Sequence, residues 1–495
     1  MILLKLTRDN GIPVYRQIIG QIVDMIESET LESGTTLPSS RDLADKLGVN
    51  RSTVYRAYME LAALGYVEST PGSYTRVRRR APVIGRKRTD EKGALNWRRR
   101  SNPASSRLYD FFERYTPESP IPTSEEVINI SPLDLDRRLF PLDDFRRCMN
   151  RVLLHEGART LQYGERAGYP GLREVIARRM QIHGIAASPD EILVTNGAQN
   201  AIDLILRLLA VPGARGVVEE PTYSNVIPLL RYHELRIAGV PMLAGGMDLG
   251  TLERRLAKGN VSLVYTIPNF QNPTGITTSQ EHRERLLALC ERHGVPIIED
   301  GFEEEMKYFG RVVLPIKSMD RNQVVLYVGT FSKVLFPGVR IGWIVAERDC
   351  IQRLIAIRRF TDLTGGALVQ AAVAEFCRLG CYDIHIKRMH RFFRRRMAVA
   401  LRALEKHMPP GVTWTKPDGG YTIWVDLSDF PDTGKPVNEF LVQYGVVVSP
   451  GDYYFHGAEP HRSFRISIAS LDEREIGEGI ERLGTALGAL RRRGG

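Results

Sequence analysis

Residues 329–343 read Gly-Thr-Phe-Ser-Lys-Val-Leu-Phe-Pro-Gly-Val-Arg-Ile-Gly-Trp, and they follow an apolar run, Val324 to Val328, that predicts a buried strand. Lys333 is the only lysine of this stretch. An amine at a strand end, with its charge disfavoured by burial, can attack a carbonyl group. Thr330 and Arg340 offer a hydroxyl and a fork of donors suited to a phosphate. Taken alone, Lys333 is equally consistent with an ordinary loop lysine.

The composition excludes several classes of protein. At 495 residues the chain is too long for one ordinary hydrophobic core, so we expect two or more domains. No apolar run reaches the roughly 18 residues of a membrane helix, and the N-terminus is charged too soon for a signal peptide. The five cysteines are scattered without metal-ligand spacing, which predicts reduced thiols in a cytoplasmic protein without a metal site.

Charge is distributed unevenly along the chain. Residues 1–107 contain 19 Lys and Arg against 11 Asp and Glu, a net charge of +8 out of the chain's +10. Such an asymmetry points to a polyanion as the partner of the N-terminal part. A solvated linker also carries basic runs, so charge alone does not identify that partner.

The N-terminal segment, residues 1–77, has the pattern of three short helices followed by a hairpin. Gly48 ends the second helix and Asn50 can cap the third, which leaves a tight turn between them. Tyr66 to Val77 predict the hairpin, with its turn at Pro71-Gly72-Ser73. This order predicts a winged helix-turn-helix DNA-binding domain.

In a winged helix-turn-helix the third helix enters the major groove, and its first turn meets base edges and phosphates. The candidate DNA contacts are therefore Ser40, Arg41, Arg51, Ser52, Thr53 and Arg56. The run at residues 37–54, Leu-Pro-Ser-Ser-Arg-Asp-Leu-Ala-Asp-Lys-Leu-Gly-Val-Asn-Arg-Ser-Thr-Val, resembles the DNA-binding head of GntR-type regulators over residues 8–77. That resemblance implies a double-stranded DNA operator as partner.

Residues 78–125 predict a basic flexible linker. Arginine-rich clusters at residues 78–80, 86–88 and 98–100 lie among Pro, Ser and Gly, with little apolar periodicity. Such clusters can contact DNA phosphates without reading the sequence, and they are equally consistent with plain solvation.

From residue 126 to 495, apolar strand-like runs alternate with amphipathic helical segments, which predicts an α/β domain whose mainly parallel sheet is covered by helices. Ligands of such sheets bind beyond the carboxyl ends of the strands. The residues just after five of these runs are therefore the candidate site. In chain order they are Gly197, Ala198 and Gln199; Tyr223; Asn272; Asp300; and Thr330, Lys333 and Arg340.

Each of these residue types can bind one part of a ligand that contains a pyridine ring and a phosphate. A helix N-terminus binds phosphate, a tyrosine ring can stack on a pyridine, and a carboxylate keeps a pyridine nitrogen protonated. Singly, each is also consistent with a turn, a packing residue or a helix cap. Together, in this order and spacing, they resemble the cofactor set of fold-type I aminotransferases over residues 128–485.

The resemblance implies pyridoxal 5'-phosphate as cofactor, held by Lys333 as a Schiff base. Asp300 would pair with the ring nitrogen, Asn272 with the phenolic oxygen, and Tyr223 would stack on the ring. The phosphate would be held by Gly197, Ala198, Gln199, Thr330 and Arg340. Tyr163 matches a tyrosine that reaches the phosphate of a neighbouring subunit in these dimers, and Arg465 matches the arginine that binds a substrate carboxylate.

One residue departs from the pattern of that family. Phe302 stands where the family usually carries a tyrosine, two residues after the aspartate. The departure removes a hydrogen bond to the cofactor's phenolic oxygen, which disfavours efficient transamination but not cofactor binding.

A GntR-type head joined to an aminotransferase-like body is the layout of MocR-type transcription regulators. The resemblance implies a homodimer with exchanged DNA-binding heads, whose body senses an amino compound or the cofactor itself through aldimine exchange at Lys333, without physiological turnover. The alternative is a working aminotransferase of the 2-aminoadipate type, to which residues 419–424 are similar. The predicted recognition helix favours the regulator, since an enzyme has no use for one.

Overall fold

A computed structural model describes residues 4–7, 11–28, 30–69, 74–78, 95–115, 127–310, 313–430, 437–457 and 459–494. The chain forms two compact units, residues 1–100 and 101–495. Within the described ranges, no helix is long and apolar enough to cross a membrane.

The smaller unit has the predicted winged helix-turn-helix. Its elements are helices α1 Val14–Glu27, α2 Ser40–Leu47, α3 Arg51–Ala63 and α4 Trp97–Arg100 and strands β1 Val67–Ser69 and β2 Thr75–Val77. The Asn50 side chain caps α3 by accepting from the backbone N–H of Ser52 at 2.9 Å, and Gly48 ends α2 in the left-handed conformation. The predicted turn at Pro71-Gly72-Ser73 lies outside the described residues.

The larger unit contains most of the regular structure. Its helices are α5 Pro103–Tyr115, α6 Leu142–Glu156, α7 Pro170–Ile182, α8 Ala198–Leu209, α9 Val226–Tyr232, α10 Leu249–Ala257, α11 Gln280–His293, α12 Arg348–Arg359, α13 Ala367–Arg378, α14 Cys381–His407, α15 Val437–Leu441 and α16 Glu473–Gly494. Its strands are β3 Ile128–Asn129, β4 Ile192–Thr195, β5 Arg215–Glu220, β6 Arg236–Leu243, β7 Gly246–Met247, β8 Val261–Thr266, β9 Ile297–Asp300, β10 Val325–Thr330, β11 Gly342–Val345, β12 Thr413–Trp414, β13 Thr422–Asp426, β14 Val446–Val447, β15 Ser449–Pro450 and β16 Ser463–Ser467.

The predicted α/β fold is confirmed by the main sheet. Among the described residues it has eight strands in the order β4-β11-β10-β9-β8-β5-β6-β7. Strands β6, β5, β8, β9 and β10 run parallel, whereas β11 and β7 are antiparallel to their neighbours. Because β4 also pairs antiparallel with β11, its carboxyl end lies at the same edge as those of β5, β8, β9 and β10. This edge positions the candidate site.

A smaller antiparallel sheet carries the remaining candidate residue. It has the strand order β12-β13-β16-β15, counted over the described part of the chain, and Arg465 lies in the middle of β16. Helices α14 and α16 pack against each other beside it.

The prediction of a flexible linker is wrong for residues 103–115, which form α5. Asn102 caps this helix by accepting from the backbone N–H of Ser105 at 2.8 Å. Phe111 on α5 packs against a buried apolar cluster, and α5 lies against α9. Burial of one apolar face therefore outweighs the polar composition of this segment. Residues 79–94 and 116–126, with two of the basic clusters wholly or partly among them, lie outside the described residues.

Candidate functional sites

A cavity of about 480 Å³ opens at the carboxyl edge of the main sheet. Nine of the predicted site residues line it together: Ala198, Gln199, Tyr223, Asn272, Asp300, Thr330, Lys333, Arg340 and Arg465. They come from segments separated by up to 267 positions in the chain, from Ala198 to Arg465. The strand order brings them together, as expected for a site beyond the strand ends.

At one end of the cavity the N-terminus of α8 meets Arg340. Gly197, which precedes α8, has a φ of +92°, and a Cβ atom added to it would lie 2.9 Å from Nη2 of Arg340. Arg340 donates from Nη2 to the carbonyl of Asn196 at 3.0 Å. Glycine at 197 thus lets a guanidinium approach the free N–H groups of a helix N-terminus, and both attract an anion.

Two hydroxyl groups lie beside that cradle. Thr330 donates to the carbonyl of Ile341 at 2.9 Å and accepts from the backbone N–H of Ser332 at 3.1 Å, so its donor is already used. The hydroxyl of Ser332 is buried and has no partner among the described residues. Ser332 was missed as a site residue, although its position next to Lys333 in residues 329–343 was a usable signal.

Lys333 projects into the cavity from the loop after β10. Its Nζ donates to the carbonyl of Leu133 at 3.1 Å. Burial lowers the pKa of Lys333, and the positive charges of Arg465 and Arg340 add to this, against the opposing effect of Asp134 and Glu303. A larger fraction of the amine is therefore uncharged, which is the nucleophilic form.

Asp300 is the last residue of β9, and only one of its two carboxylate oxygens accepts a hydrogen bond in the described structure. Tyr265 donates its hydroxyl to Oδ2 of Asp300 at 2.7 Å, while Oδ1 is buried without a partner in the described structure. Burial raises the pKa of Asp300 to about 6, although the bond from Tyr265 acts in the opposite direction. The open oxygen can accept a hydrogen bond from a cationic N–H group.

Asn272 and Arg465 are bonded to each other. The Nη1 atom of Arg465 donates to Oδ1 of Asn272 at 3.0 Å, and its Nη2 donates to the carbonyl of Ser131 at 2.7 Å. Arg465 is 7% exposed, and its guanidinium lies 5.3 Å from the ring centre of Tyr454. The amide group of Asn272 therefore keeps its N–H donors for another partner.

Phe302 lines the cavity and is 8% exposed. Its side chain belongs to the apolar cluster beneath the sheet edge, so this wall of the cavity offers no hydroxyl at that position. Tyr223 does present a hydroxyl, which accepts from the side-chain N–H of Asn225 at 3.1 Å.

Tyr163 does not lie in this cavity. It is 85% exposed and lines a separate groove with Leu161 and residues 364–369. Tyr163 therefore contributes nothing to the cavity at the sheet edge.

The cavity also has walls that sequence reasoning missed, formed by Leu133, Ser449, Tyr453 and Tyr454. They come from loops and from the smaller sheet, with no strand-end pattern to mark them. Only their packing in the fold brings them to the site.

In the smaller unit, the predicted DNA contacts lie in the N-terminal halves of α2 and α3. Arg41, Arg51 and Ser52 are exposed, Ser40 and Thr53 are half-buried, and Arg51 Nε lies 3.5 Å from the Ser40 hydroxyl. Arg56 is exposed but is held within the unit, with its guanidinium 4.0 Å from the ring centre of Tyr15.

The chain resembles two families, one for each unit. Residues 14–77 match the gntR family of bacterial regulatory proteins, and residues 128–483 match the aminotransferases of class I and II. The probable rhizopine catabolism regulatory protein MocR of Rhizobium meliloti is 30% identical over 99% of this chain and 96% of that protein. Aromatic-amino-acid aminotransferase 1 of Thermococcus litoralis is 37% identical over 70% of this chain and 84% of that protein.

A solved structure shares the fold of the larger unit. LysN, an α-aminoadipate aminotransferase of Thermus thermophilus in complex with N-(5'-phosphopyridoxyl)-L-leucine, has a TM-score of 0.73 and 28% identity, over 80% of this chain and 99% of LysN.

Aminotransferases of class I and II depend on pyridoxal phosphate, and the cavity fits that cofactor. Asp300 Oδ1, the Ser332 hydroxyl and Gln199 Oε1 are buried polar atoms without partners among the described residues. The cradle formed by Gly197 and Arg340 would be filled by a Cβ atom on the glycine. The donors at one end suit a phosphate, and the open carboxylate oxygen suits a protonated ring nitrogen.

Proposed function

This chain belongs to the MocR-type regulators, in which a GntR-type head precedes an aminotransferase class I and II body, and from that premise we propose that it is a transcription regulator controlled through its pyridoxal phosphate site. The observation that carries the proposal is the presence in one chain of a helix-turn-helix and of a cavity lined by nine of the predicted site residues. An effector amine would be sensed at Lys333, in the cytoplasm where the operator DNA is found.

Pyridoxal phosphate, when bound, supplies an aldehyde that amines take up reversibly. Lys333 would hold the cofactor by its amine, which burial keeps partly uncharged. Asp300 would pair with the ring nitrogen, and the α8 N-terminus with Arg340 and Ser332 would hold the phosphate, while Thr330, whose hydroxyl donates to Ile341, would help only after giving up that bond. Arg465 would bind the carboxylate of an effector amino acid, because a buried guanidinium needs an anionic partner. An effector amine that displaces Lys333 would free the lysine amine within the cavity.

A series of contacts connects the cavity with helix α5, near the start of the larger unit. Asn225 bonds the Tyr223 hydroxyl, accepts from Gln199 Nε2 at 3.2 Å through its carbonyl, and is the residue before α9. Helix α9 packs against α5, which also carries the exposed ion pair between Arg107 and Glu234 at 3.4 Å. A change at the cavity wall would therefore reach α5, the first helix of the larger unit after the segment that joins it to the DNA-binding unit.

We further propose a homodimer. Leu154, Leu161, Tyr163 and Leu363 are 83%, 68%, 85% and 55% exposed, which is unusual for large side chains. A second copy of the chain would cover these side chains and receive Tyr163 at its phosphate cradle. The heads would be exchanged between the two subunits.

A working aminotransferase is the second candidate, because Lys333, Asp300 and Arg340 line one cavity and the Thermococcus litoralis relative is named an aminotransferase. Two features favour regulation. The α3 helix has no role in a pure enzyme. Phe302 also lacks the hydroxyl that a tyrosine would place in the cavity.

The two candidates are separated by a single preparation of the full-length protein. Binding sites are selected from a pool of random duplex DNA, and keto-acid formation from the twenty standard amino acids is measured in parallel. The regulator requires enriched DNA sequences and slow or undetectable keto-acid formation. Fast keto-acid formation without any enriched sequence identifies the aminotransferase.

A further inference from the structure

The recognition helix α3 has one arginine that is engaged inside its own unit. Arg56 donates from Nη2 to the Tyr15 hydroxyl at 3.2 Å and pairs through Nε with Glu60 at 3.3 Å. Its guanidinium also stacks on the Tyr15 ring, 4.0 Å from the ring centre. These contacts join α3 to α1 and fix the position of the Arg56 guanidinium, although its side chain stays 61% exposed.

Two large side chains are exposed on the outward face of α3. Tyr55 is 56% exposed and Met59 is 52% exposed, one helical turn apart. Both follow Arg51 on the same face, whereas Val54, Ala57, Tyr58 and Leu61 form the buried face. In the described structure Tyr55 has neither a hydrogen bond nor a ring partner. A helix that only packs against its own unit would gain nothing from exposing these side chains.

We propose that Tyr55 is a specificity-determining residue of the DNA-binding unit, whose ring contacts the 5-methyl group of a thymine in the major groove, with Met59 extending the contact. The proposal rests on the DNA-binding part of the function proposed above. DNA is the partner that the charge next to this helix favours: residues 78–107, directly after the helix-turn-helix, have 11 Lys and Arg against 2 Asp and Glu, whereas residues 1–77 have 8 against 9. Within the major groove, the thymine methyl is the one apolar group that apolar side chains read.

Tyr55 and Arg51 differ in how they act on DNA. A side chain that neutralises a phosphate releases counterions, so its loss reduces the slope of log affinity against log salt by about 0.9. A contact with a methyl group releases none. Loss of Arg51 is expected to reduce the slope, whereas loss of Tyr55 leaves the slope unchanged and weakens discrimination between sequences.

The test uses the full-length protein and a duplex enriched from random DNA. Each thymine of the duplex is replaced in turn by deoxyuridine, which removes only the 5-methyl group. Dissociation constants are measured for the parent, Tyr55→Ala, Tyr55→Phe and Leu64→Ala. Leu64 is a matched control, because it is 47% exposed and lies directly after α3.

At one thymine of each half-site, deoxyuridine is expected to weaken binding by the parent about fourfold, the effect of one buried methyl group. Tyr55→Phe and Leu64→Ala keep this effect, and Tyr55→Ala abolishes it. The inference is overturned if Tyr55→Ala retains the full effect, or if no thymine is sensitive in the parent. Failure to enrich any sequence overturns the DNA-binding function itself, so the two failures are distinguishable.

Discussion

The guanidinium of Arg465 lies 3.0 Å from the amide oxygen of Asn272, so two residues proposed for different partners are directly bonded. Arg465 comes from the smaller sheet, and Asn272 follows β8 of the main sheet. The bond orients the Asn272 amide so that its N–H donors remain available. Binding of an effector carboxylate to Arg465 would therefore act on Asn272, the residue that we propose to contact the cofactor's phenolic oxygen.

Replacing Arg465 with glutamine tests its role in carboxylate recognition. Glutamine keeps an amide donor in the buried site but removes the charge, so we expect the visible spectrum of the bound cofactor to persist while its response to amino acids weakens at least tenfold, as for a lost charge-assisted bond of about 1.5–3 kcal/mol. Arg462→Gln, three residues earlier and outside the cavity, serves as the control. A full response to amino acids in Arg465→Gln would show that the arginine is structural.

Lys333 is expected to be the residue that carries the cofactor. The purified protein should absorb in the visible range, and Lys333→Ala should lose that band because no other lysine lines the cavity among the described residues. Reduction with borohydride followed by peptide mapping should place the label on Lys333, and Lys307→Ala should behave as the parent. A label on a different lysine would refute the assignment.

Cofactor affinity should depend on pH through Asp300. Burial raises the pKa of this carboxyl to about 6 in the free protein, and pairing with a protonated ring nitrogen lowers it. The free protein then binds more protons than the complex below that pH. Affinity should therefore fall as pH drops through about 6, by up to about tenfold per pH unit.

The control for this pH dependence is Asp300→Asn, which removes the titrating group. Burial also raises the pKa of Glu219, to about 7, but this group is present in both proteins, so the difference between them isolates Asp300. Identical pH profiles for the parent and Asp300→Asn would show that Asp300 does not face the ring nitrogen.

Phe302→Tyr should change the titration of the bound cofactor. A tyrosine hydroxyl donating to the phenolic oxygen stabilises its ionised form, so the pH midpoint of the visible absorbance should fall by about one unit, the equivalent of one hydrogen bond. Phe302→Leu should leave the midpoint in place. If Phe302→Tyr also leaves the midpoint unchanged, residue 302 lies away from the phenolic oxygen.

Much of the fold and of the cavity was predictable because both depend on local patterns. Buried strands such as β9 and β10 are short apolar runs, and a parallel arrangement of such strands puts the residues after them at one edge. Asp300, Asn272 and Lys333 were found in this way, and the strand order then brings them into one cavity.

What was not predictable depends on contacts between distant segments. The sequence predicts Arg56 as an exposed arginine of a recognition helix. In the fold its guanidinium packs on Tyr15, 41 residues earlier, and the sequence pattern gives no sign of this contact. Helix α5 follows the basic cluster at residues 98–100 and has equal numbers of acidic and basic residues, so the surface against which Phe111 packs had to be known first. Tyr453 and Tyr454 reach the cavity through a loop of the smaller sheet, which no strand-end rule covers.

The central claim is that an amine sensed at Lys333 changes DNA binding, and one measurement tests it directly. The affinity of the full-length protein for its selected duplex is measured with pyridoxal phosphate present, with and without each of the twenty standard amino acids. The parent, Lys333→Ala, Phe111→Ala and the exposed control Phe112→Ala are compared, Phe112 being 63% exposed on the same helix.

We predict that at least one amino acid changes the affinity of the parent and of Phe112→Ala by about fivefold or more, the lower range of allosteric coupling. In Lys333→Ala the change should vanish, and in Phe111→Ala it should shrink because the contact between α5 and the apolar cluster is weakened. An equal response in Lys333→Ala, or none in the parent across all twenty amino acids while keto acids form rapidly, would contradict the account.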